Sequence, residues 1–488
     1  MNLTKRISEL MASLVTGIPE REFQVQLGFL ASLLGEPFYL YGRSGSGKGL
    51  ILERLVAAFK NAKALKIGSR EQDMPDNLGS YDFIQFLAYD PRDEKTKDNA
   101  KIAMEDHGKA SVIFSSEMRP EDALCRGEII DAITLSIVLP ENISASSLCE
   151  LLKTQGDVTS TRVSPGLSVT AEEKAQWNEE IKKVVLSDDA LKVIAGVVEI
   201  CDENHIYISV RKWIALANIM KAMAFFNGRT ETRLEDTFFL GHPIWSRSVS
   251  NKIITGKYRQ IVLKQLLKDV PEILEKPYDA ENLMSRIQKL LRSSNNQYET
   301  KMFNDEPCVF YRITIAGETV PLYAPLRYIE TEGDFFPYNE LKHVEKRVRC
   351  NYHGTSNCTI SVASSVKSTG IRTMVARNNT ISPNEKYEDY GVLPTHILKE
   401  NDPEIAERKK TELAEIRQEI QTVAEKETKT LQALKAVFAN IKSSKEGLFC
   451  NKEFFTELQD QVTALFDSTK VVLGKIKEAH DLLASQGT

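Results

Sequence analysis

Short apolar runs separated by helical stretches fill the first part of the chain. Phe38–Tyr41 is the first such run and Ala64–Ile67 the second; residues 83–90, Ser111–Ser116 and residues 133–139 follow. Runs of this length, rich in β-branched and aromatic residues, read as strands. Strands that alternate with helices predict a parallel sheet covered on both faces. Residues 3–35 read as helices, with Phe23, Leu27, Leu30, Ala31 and Leu34 on one face, and Gly35-Glu36-Pro37 ends them. From about residue 145 to 245 the pattern is helical, clearest over 171–185, 189–202 and 210–226. Trp213, Ala217, Met220 and Ala224 form the apolar stripe of the last, which Gly228 stops. Helices continue over 253–291, with Gly256 and Pro271 as predicted breaks.

At about residue 299 the texture changes. Residues 308–315, 319–323, 359–362 and 371–376 are short, β-branched or aromatic, and bounded by Gly, Asn and Asp, which predicts a small all-β module. Beyond Pro403 the 3–4 spacing returns at Leu413, Ile416, Ile420, Val423, Leu434, Val437 and Ile441. After Gly447 it resumes at Phe455, Leu458, Val462, Leu465, Val472 and Ile476. Two amphipathic helices joined by a short loop predict an antiparallel hairpin. A β-module between helical segments reads as an insertion at the tip of a helical stalk.

Composition narrows the class. With 488 residues the chain is long enough for about three domains, and 42% hydrophobic with 27% charged residues suits a folded, soluble protein. A net charge of −5, with no basic stripe interleaved with aromatics, argues against nucleic acid as the partner. No apolar run is long enough to span a membrane, and the N-terminus does not read as a signal peptide. Seven scattered cysteines read as free thiols, which together point to the cytoplasm.

The candidate chemistry starts where the first strand ends, in Gly42-Arg43-Ser44-Gly45-Ser46-Gly47-Lys48-Gly49-Leu50. Strand, glycine-rich turn, lysine and helix are the context of a P-loop. Glycines let successive N–H groups turn inward onto a phosphate, the helix adds its positive end, and Lys48 reaches the β- and γ-phosphates. The bland alternative is a flexible Gly/Ser turn. The pattern G-x-x-x-x-G-K-[S/T] ends here in Gly49, so the hydroxyl that ligates Mg²⁺ is missing. The expected cofactor is ATP or ADP, with Mg²⁺ held weakly: the defect costs metal binding more than phosphate binding.

Several stretches together carry a family resemblance. They are residues 35–42 behind a Glu20-Arg21-Glu22 helix, residues 61–65, residues 207–213, residues 224–229, and Gly447-Leu448-Phe449-Cys450. With the helix, β-module, helix order, they make the chain resemble the MoxR branch of AAA+ ATPases, at low identity over most of its length. The resemblance implies an α/β AAA+ P-loop module with a helical lid, then a helical stalk carrying a small inserted all-β domain. It divides the chain into a nucleotide-binding subdomain (1–145), a lid (146–250), a discontinuous stalk (251–298 and 397–488) and an inserted β-rich domain (299–396). It also implies a homo-oligomeric, hexameric ring or a mixed ring, nucleotide between subunits, and a protein client or a von Willebrand factor A domain partner.

The catalytic positions depart from that pattern. An ATPase needs an Asp that holds Mg²⁺ and then a Glu that polarises water. Asp90 stands at the first position, as a possible metal ligand or as an ordinary turn residue, and Pro91 occupies the second. No asparagine stands near Ser116-Glu117, where the family places one. Glu117 is a candidate substitute base or a surface carboxylate. Ala132 occupies the expected arginine-finger position, with Arg126 nearby, whereas Arg211 matches the arginine that opens the lid helix, or is a plain surface arginine. Cys350, His353 and Cys358, with His343, invite a zinc reading but lack a standard spacing. Two functions stay open. One is a nucleotide-binding, ring-forming chaperone or regulator with weak or lost hydrolysis; the other is a pseudo-ATPase scaffold that works through protein contacts alone.

Overall fold

Phe38 and Leu40 face one side of a sheet and Tyr39 the other, and this alternation organises the first half of the chain. In a computed structural model, the structure describes residues 2–68, 73–154, 163–164, 166–241, 248–270, 273, 277–329, 331–376, 381–444 and 447–485. Helices α1 (Leu3–Val15) and α2 (Glu22–Leu34) lead into β1 (Phe38–Tyr41), followed by α3 (Lys48–Ala57), β2 (Ala64–Ile67), β3 (Phe83–Phe86), α4 (Glu94–Asp106), β4 (Ser111–Ser116), α5 (Pro120–Gly127) and β5 (Leu135–Val138). The strand order is β2-β3-β4-β1-β5 and every neighbouring pair is parallel. Parallel pairing demands crossover helices, and these cover both faces. Phe38, Leu40, Ile113 and Ile137 bury against α1, α2 and α3; Tyr39, Ile84, Phe86 and Phe114 bury against α4 and α5.

The third strand is shorter than its apolar run. It ends at Phe86, because Ala88 takes a left-handed φ of 56° and turns the chain before Tyr89 and Asp90. The fifth likewise shortens to Leu135–Val138.

Four more helices follow, α6 (Ala145–Thr154), α7 (Ala171–Lys183), α8 (Asp188–Glu203) and α9 (Val210–Phe226), and then α10 (Ser248–Leu266). Their starts are set locally. Thr170 and Glu173 form a capping box on α7, while Ser187 and Ser209 cap α8 and α9. Gly256 does not break α10, contrary to the sequence expectation. A glycine inside a helix costs about 1 kcal/mol, and the fully buried Tyr258 and Val262 that follow it outweigh that cost. Pro271 lies outside the described residues.

Contacts divide the chain into two units, Met1–Lys276 with Leu431–Asp467, and Pro277–Thr430 with Ser468–Thr488. The second unit holds α11 (Ala280–Arg292), then β6 (Gln297–Tyr298), β7 (Lys301–Phe303), β8 (Glu306–Ile315), β9 (Glu318–Pro325), β10 (Val348–Asn351), β11 (Asn357–Ala363), α12 (Ser364–Lys367), α13 (Ile371–Ala376), β12 (Tyr387–Pro394) and β13 (Ile397–Lys399). The strands form antiparallel sheets β7-β8-β9 and β10-β11-β12 and the pair β13-β6 around Ile313, Leu322, Val348, Ile360 and Val362. Residues 371–376, expected as a strand, are helix α13. Gly370 turns the chain with φ 81°, and the Glu318 carboxylate accepts the Arg372 N–H at 2.8 Å, so a distant cap overrides local β propensity.

The chain closes with α14 (Pro403–Ser444) and α15 (Lys452–Ser485). In the second unit Ile416 and Ile420 share a core with Val472, Ile476 and the α11 residues Leu283 and Ile287. In the first unit Leu434 and Ile441 join Phe455, Leu458 and Val462.

Candidate functional site

The glycine-rich loop leaves the C-terminal end of β1, between β4 and β5, at the edge of the sheet where ligands bind open α/β folds. Its start is pinned by the Gly42 N–H, which donates to the Ser116 carbonyl at 3.2 Å. A Cβ on Gly42 would stand 2.5 Å from Ser46 Oγ and 3.2 Å from Leu139 Cδ1, so a side chain there would have to displace both neighbours. Gly45 and Gly47 take φ values of 77° and 91°, which turn the backbone into a concave nest ahead of α3. The N–H groups of Ser44, Gly45 and Gly47 have no acceptor among the described residues, and Ser46 Oγ is buried without a partner. These unmet donors suit a phosphate chain: each would gain an anionic acceptor at a helix N-terminus.

Lys48 lies across this nest. Its ammonium donates to the carbonyls of Gly42 at 2.6 Å and Arg43 at 2.9 Å, and Glu117 lies 4.0 Å away. Burial lowers its pKa, and the Glu117 charge opposes that shift in part. The loop's outer rim is fastened by Arg43 to Glu141 at 3.0 Å. Behind it, the buried Arg54 guanidinium donates to the carbonyls of Leu14 and Thr16 at 2.8 and 2.6 Å, which sets Ile18 against Gly47. No sequence signal marks Arg54, because its position in α3 reads as part of a mixed face. Its partners are backbone carbonyls some forty residues earlier.

The metal half of the site is different. The Asp90 carboxylate is forked by its neighbour Arg92, whose Nε donates to Oδ1 at 2.8 Å and whose Nη2 donates to Oδ2 at 2.6 Å. The Arg92 N–H adds a third bond at 3.0 Å. Among the described residues no group of three or more His, Cys, Asp or Glu is placed to hold a metal. Gly49 has open space around its absent Cβ, so a hydroxyl side chain would fit sterically, but none is present. The residues fit a phosphate chain and do not fit a well-held Mg²⁺ ion.

The structure does not bring Arg211 to the loop. It opens α9, whose apolar face packs on α2, and this carries its guanidinium to the opposite, N-terminal edge of the sheet. There it lies 3.9 Å from Asp131, beside Ala132 and Glu36. Arg126 is exposed near the end of α5. Cys350 and Cys358 are buried neighbours in the β-rich module, and their mutual contact and burial push the Cys350 thiol well up. His343 and His353 are exposed, and the four do not form a metal-binding group among the described residues.

A parallel sheet of this order, a phosphate nest after β1 and a helical array behind it define an AAA+ module with a helical lid, followed by a helical region carrying a β-rich insertion. Residues 189–256, which span α8, α9 and the start of α10, match the family model described as an AAA lid domain. The chain is 26% identical over 126 residues to an uncharacterized protein of Methanocaldococcus jannaschii, which covers 25% of this chain and 31% of that protein. The match thus spans under a third of that relative's length. Among solved structures, the chain is similar to a candidate ATPase of Cytophaga hutchinsonii, at 17% identity and a TM-score of 0.42 over 55% of this chain and 94% of that one. It is also similar to the apo C-terminal region of NrS-1, at 12% identity and a TM-score of 0.19 over 61% and 74% of the two chains. 

Proposed function

We propose that this chain is a MoxR-branch AAA+ protein of the RavA type, a ring-forming chaperone or regulator that binds nucleotide and acts on a protein partner. The observation that carries the nucleotide reading is the preformed nest: unmet N–H groups at Ser44, Gly45 and Gly47 with Lys48 poised across them. On this reading ATP or ADP binds through its phosphates. Lys48 exchanges two loop carbonyls for phosphate oxygens, and Glu117 keeps its ammonium charged. Hydrolysis is slow or lost. Arg92 occupies the carboxylate that would meet the metal, Gly49 offers no hydroxyl, and Pro91 stands where a water-polarising carboxylate would be. Without those groups most of the electrostatic stabilisation of phosphoryl transfer is gone. Arg211 then acts outside its own subunit's nucleotide site. A hexameric or mixed ring, and a partner carrying a von Willebrand factor A domain, extend the proposal by resemblance.

The test is binding of fluorescent ADP and ATP analogues with and without Mg²⁺, beside Lys48→Ala, together with steady-state phosphate release. The reading expects binding that Lys48→Ala abolishes and Mg²⁺ barely changes, with release no faster than in that variant. No nucleotide binding at all would leave a scaffold that works through protein contacts.

A further inference from the structure

At the other end of β1 from the glycine-rich loop, a cavity of about 440 Å³ opens between the strand's N-terminal approach and the start of α9. Its polar lining is Glu36, His107, Asp131, Thr134, Arg211 and Lys212. Beyond His107 and Lys212, the three remaining ionisable groups already have partners. Arg211 lies against Asp131, and Glu36 Oε2 accepts the Thr134 hydroxyl at 2.8 Å. Burial raises the Glu36 pKa, and the Thr134 hydrogen bond and the Arg211 charge oppose that shift.

Lys212 is the exception. It is only 7% exposed, yet its ammonium has no hydrogen bond and no carboxylate within 4.0 Å among the described residues. The Lys212 side chain is thus largely removed from water while its ammonium, unmatched by a hydrogen bond, opens on the cavity, and the Asp131 charge across the lining is the one that acts on it. Met104, Ile214 and Ala215 give the cavity an apolar side as well.

We infer that this cavity is a second binding site, separate from the glycine-rich loop, for a small molecule bearing one oxyanion, a phosphate or a carboxylate, held by Lys212 with Arg211 at the rim. The volume exceeds what a bare phosphate fills, so the apolar side accommodates a short carbon body.

The test uses the full-length Lys48→Ala protein, in which the loop lysine cannot account for binding. Equilibrium dialysis with radiolabelled inorganic phosphate is expected to show one bound equivalent at millimolar phosphate. Adding Lys212→Met, which keeps the volume and removes the charge, is expected to weaken binding at least about tenfold. Displacement of phosphate by butyrate more effectively than by acetate would assign a carboxylate with a carbon body. The reverse order would assign phosphate, and either result keeps the site. Equal phosphate binding to the single and double variants, or none to Lys48→Ala, would overturn it. A second readout needs no further variant: the ¹³C signal of dimethylated Lys212 must move on phosphate titration, and an unmoved signal rejects the site.

Discussion

The side-chain amide of Asn227 holds both backbone groups of Leu448. Its Oδ1 accepts the Leu448 N–H at 2.9 Å, and its Nδ2 donates to the Leu448 carbonyl at 3.0 Å. Asn227 is also the C-cap of α9, so the end of the lid helix and the turn between α14 and α15 are fastened by one residue. Phe449 packs on Phe226 with ring centroids 5.8 Å apart, and Asn451 Nδ2 reaches the Phe238 carbonyl at 3.3 Å.

Asn227→Ala removes three side-chain hydrogen bonds, the two to Leu448 and one to the Met223 carbonyl at 2.8 Å, and leaves a half-buried backbone pair unanswered. The expected cost is about 2 kcal/mol. Hydrogen exchange should accelerate at residues 447–451 well before it does in the sheet. Unchanged protection there would mean that the turn is held by its aromatic contacts alone.

Gly49→Thr tests the metal defect directly. The backbone at this position is helical and space is open, so the side chain can be seated without strain. Mg²⁺ should then tighten ADP binding about tenfold where it had little effect before, the worth of roughly 1.4 kcal/mol. Adding Arg92→Ala, which releases Asp90, should enlarge that response. Isothermal titration with and without EDTA measures both; a threonine variant that stays indifferent to Mg²⁺ would show that the hydroxyl is not the missing element.

Arg229 and Asp236 form a buried two-pronged pair, with both bonds at 2.7 Å, and Asp236 also accepts the Arg233 N–H at 2.7 Å. Asp236→Ala strands a buried guanidinium and should cost about 3 to 5 kcal/mol in urea unfolding. Replacing both partners with apolar residues, Arg229→Met and Asp236→Leu, should recover most of that loss.

Lys212 gives a pH signature. Burial lowers its pKa from 10.5 to about 8, with the Asp131 charge acting weakly the other way. The folded chain therefore holds fewer protons than the unfolded chain between those values, and stability rises with pH across that window. Below pH 8 the full penalty is present, roughly 3 kcal/mol. Lys212→Met should accordingly be more stable than the native chain at pH 7, with the difference shrinking as pH approaches 10.5. Chemical denaturation at pH 7, 8.5 and 10 checks the trend, and parallel profiles for the two proteins would refute it.

The parts of the molecule that were legible in the sequence are those whose structure is decided locally. Ala64–Ile67 and Val210–Phe226 appear as the apolar pattern predicts, and the glycine-rich loop is flanked by strand and helix as expected. What escaped is decided at a distance. Helix α13 depends on a carboxylate more than fifty residues earlier. The β12 strand carries too many polar residues to stand out, and its place is fixed by pairing with β11. The Arg92 fork on Asp90 uses an i, i+2 geometry that no helix or strand period anticipates. The position of Arg211 followed from how α9 packs on α2, and residues from several separate segments converge on the Lys212 cavity.

The open space beside Gly49 has a bearing on what the protein can measure. A grip made of backbone N–H groups and one ammonium counts phosphates and ignores their metal. Most cellular ATP travels as its magnesium complex, whereas ADP is more often bare. A nest of this kind would follow total nucleotide, complexed or bare, and its occupancy would hold steady when free magnesium falls.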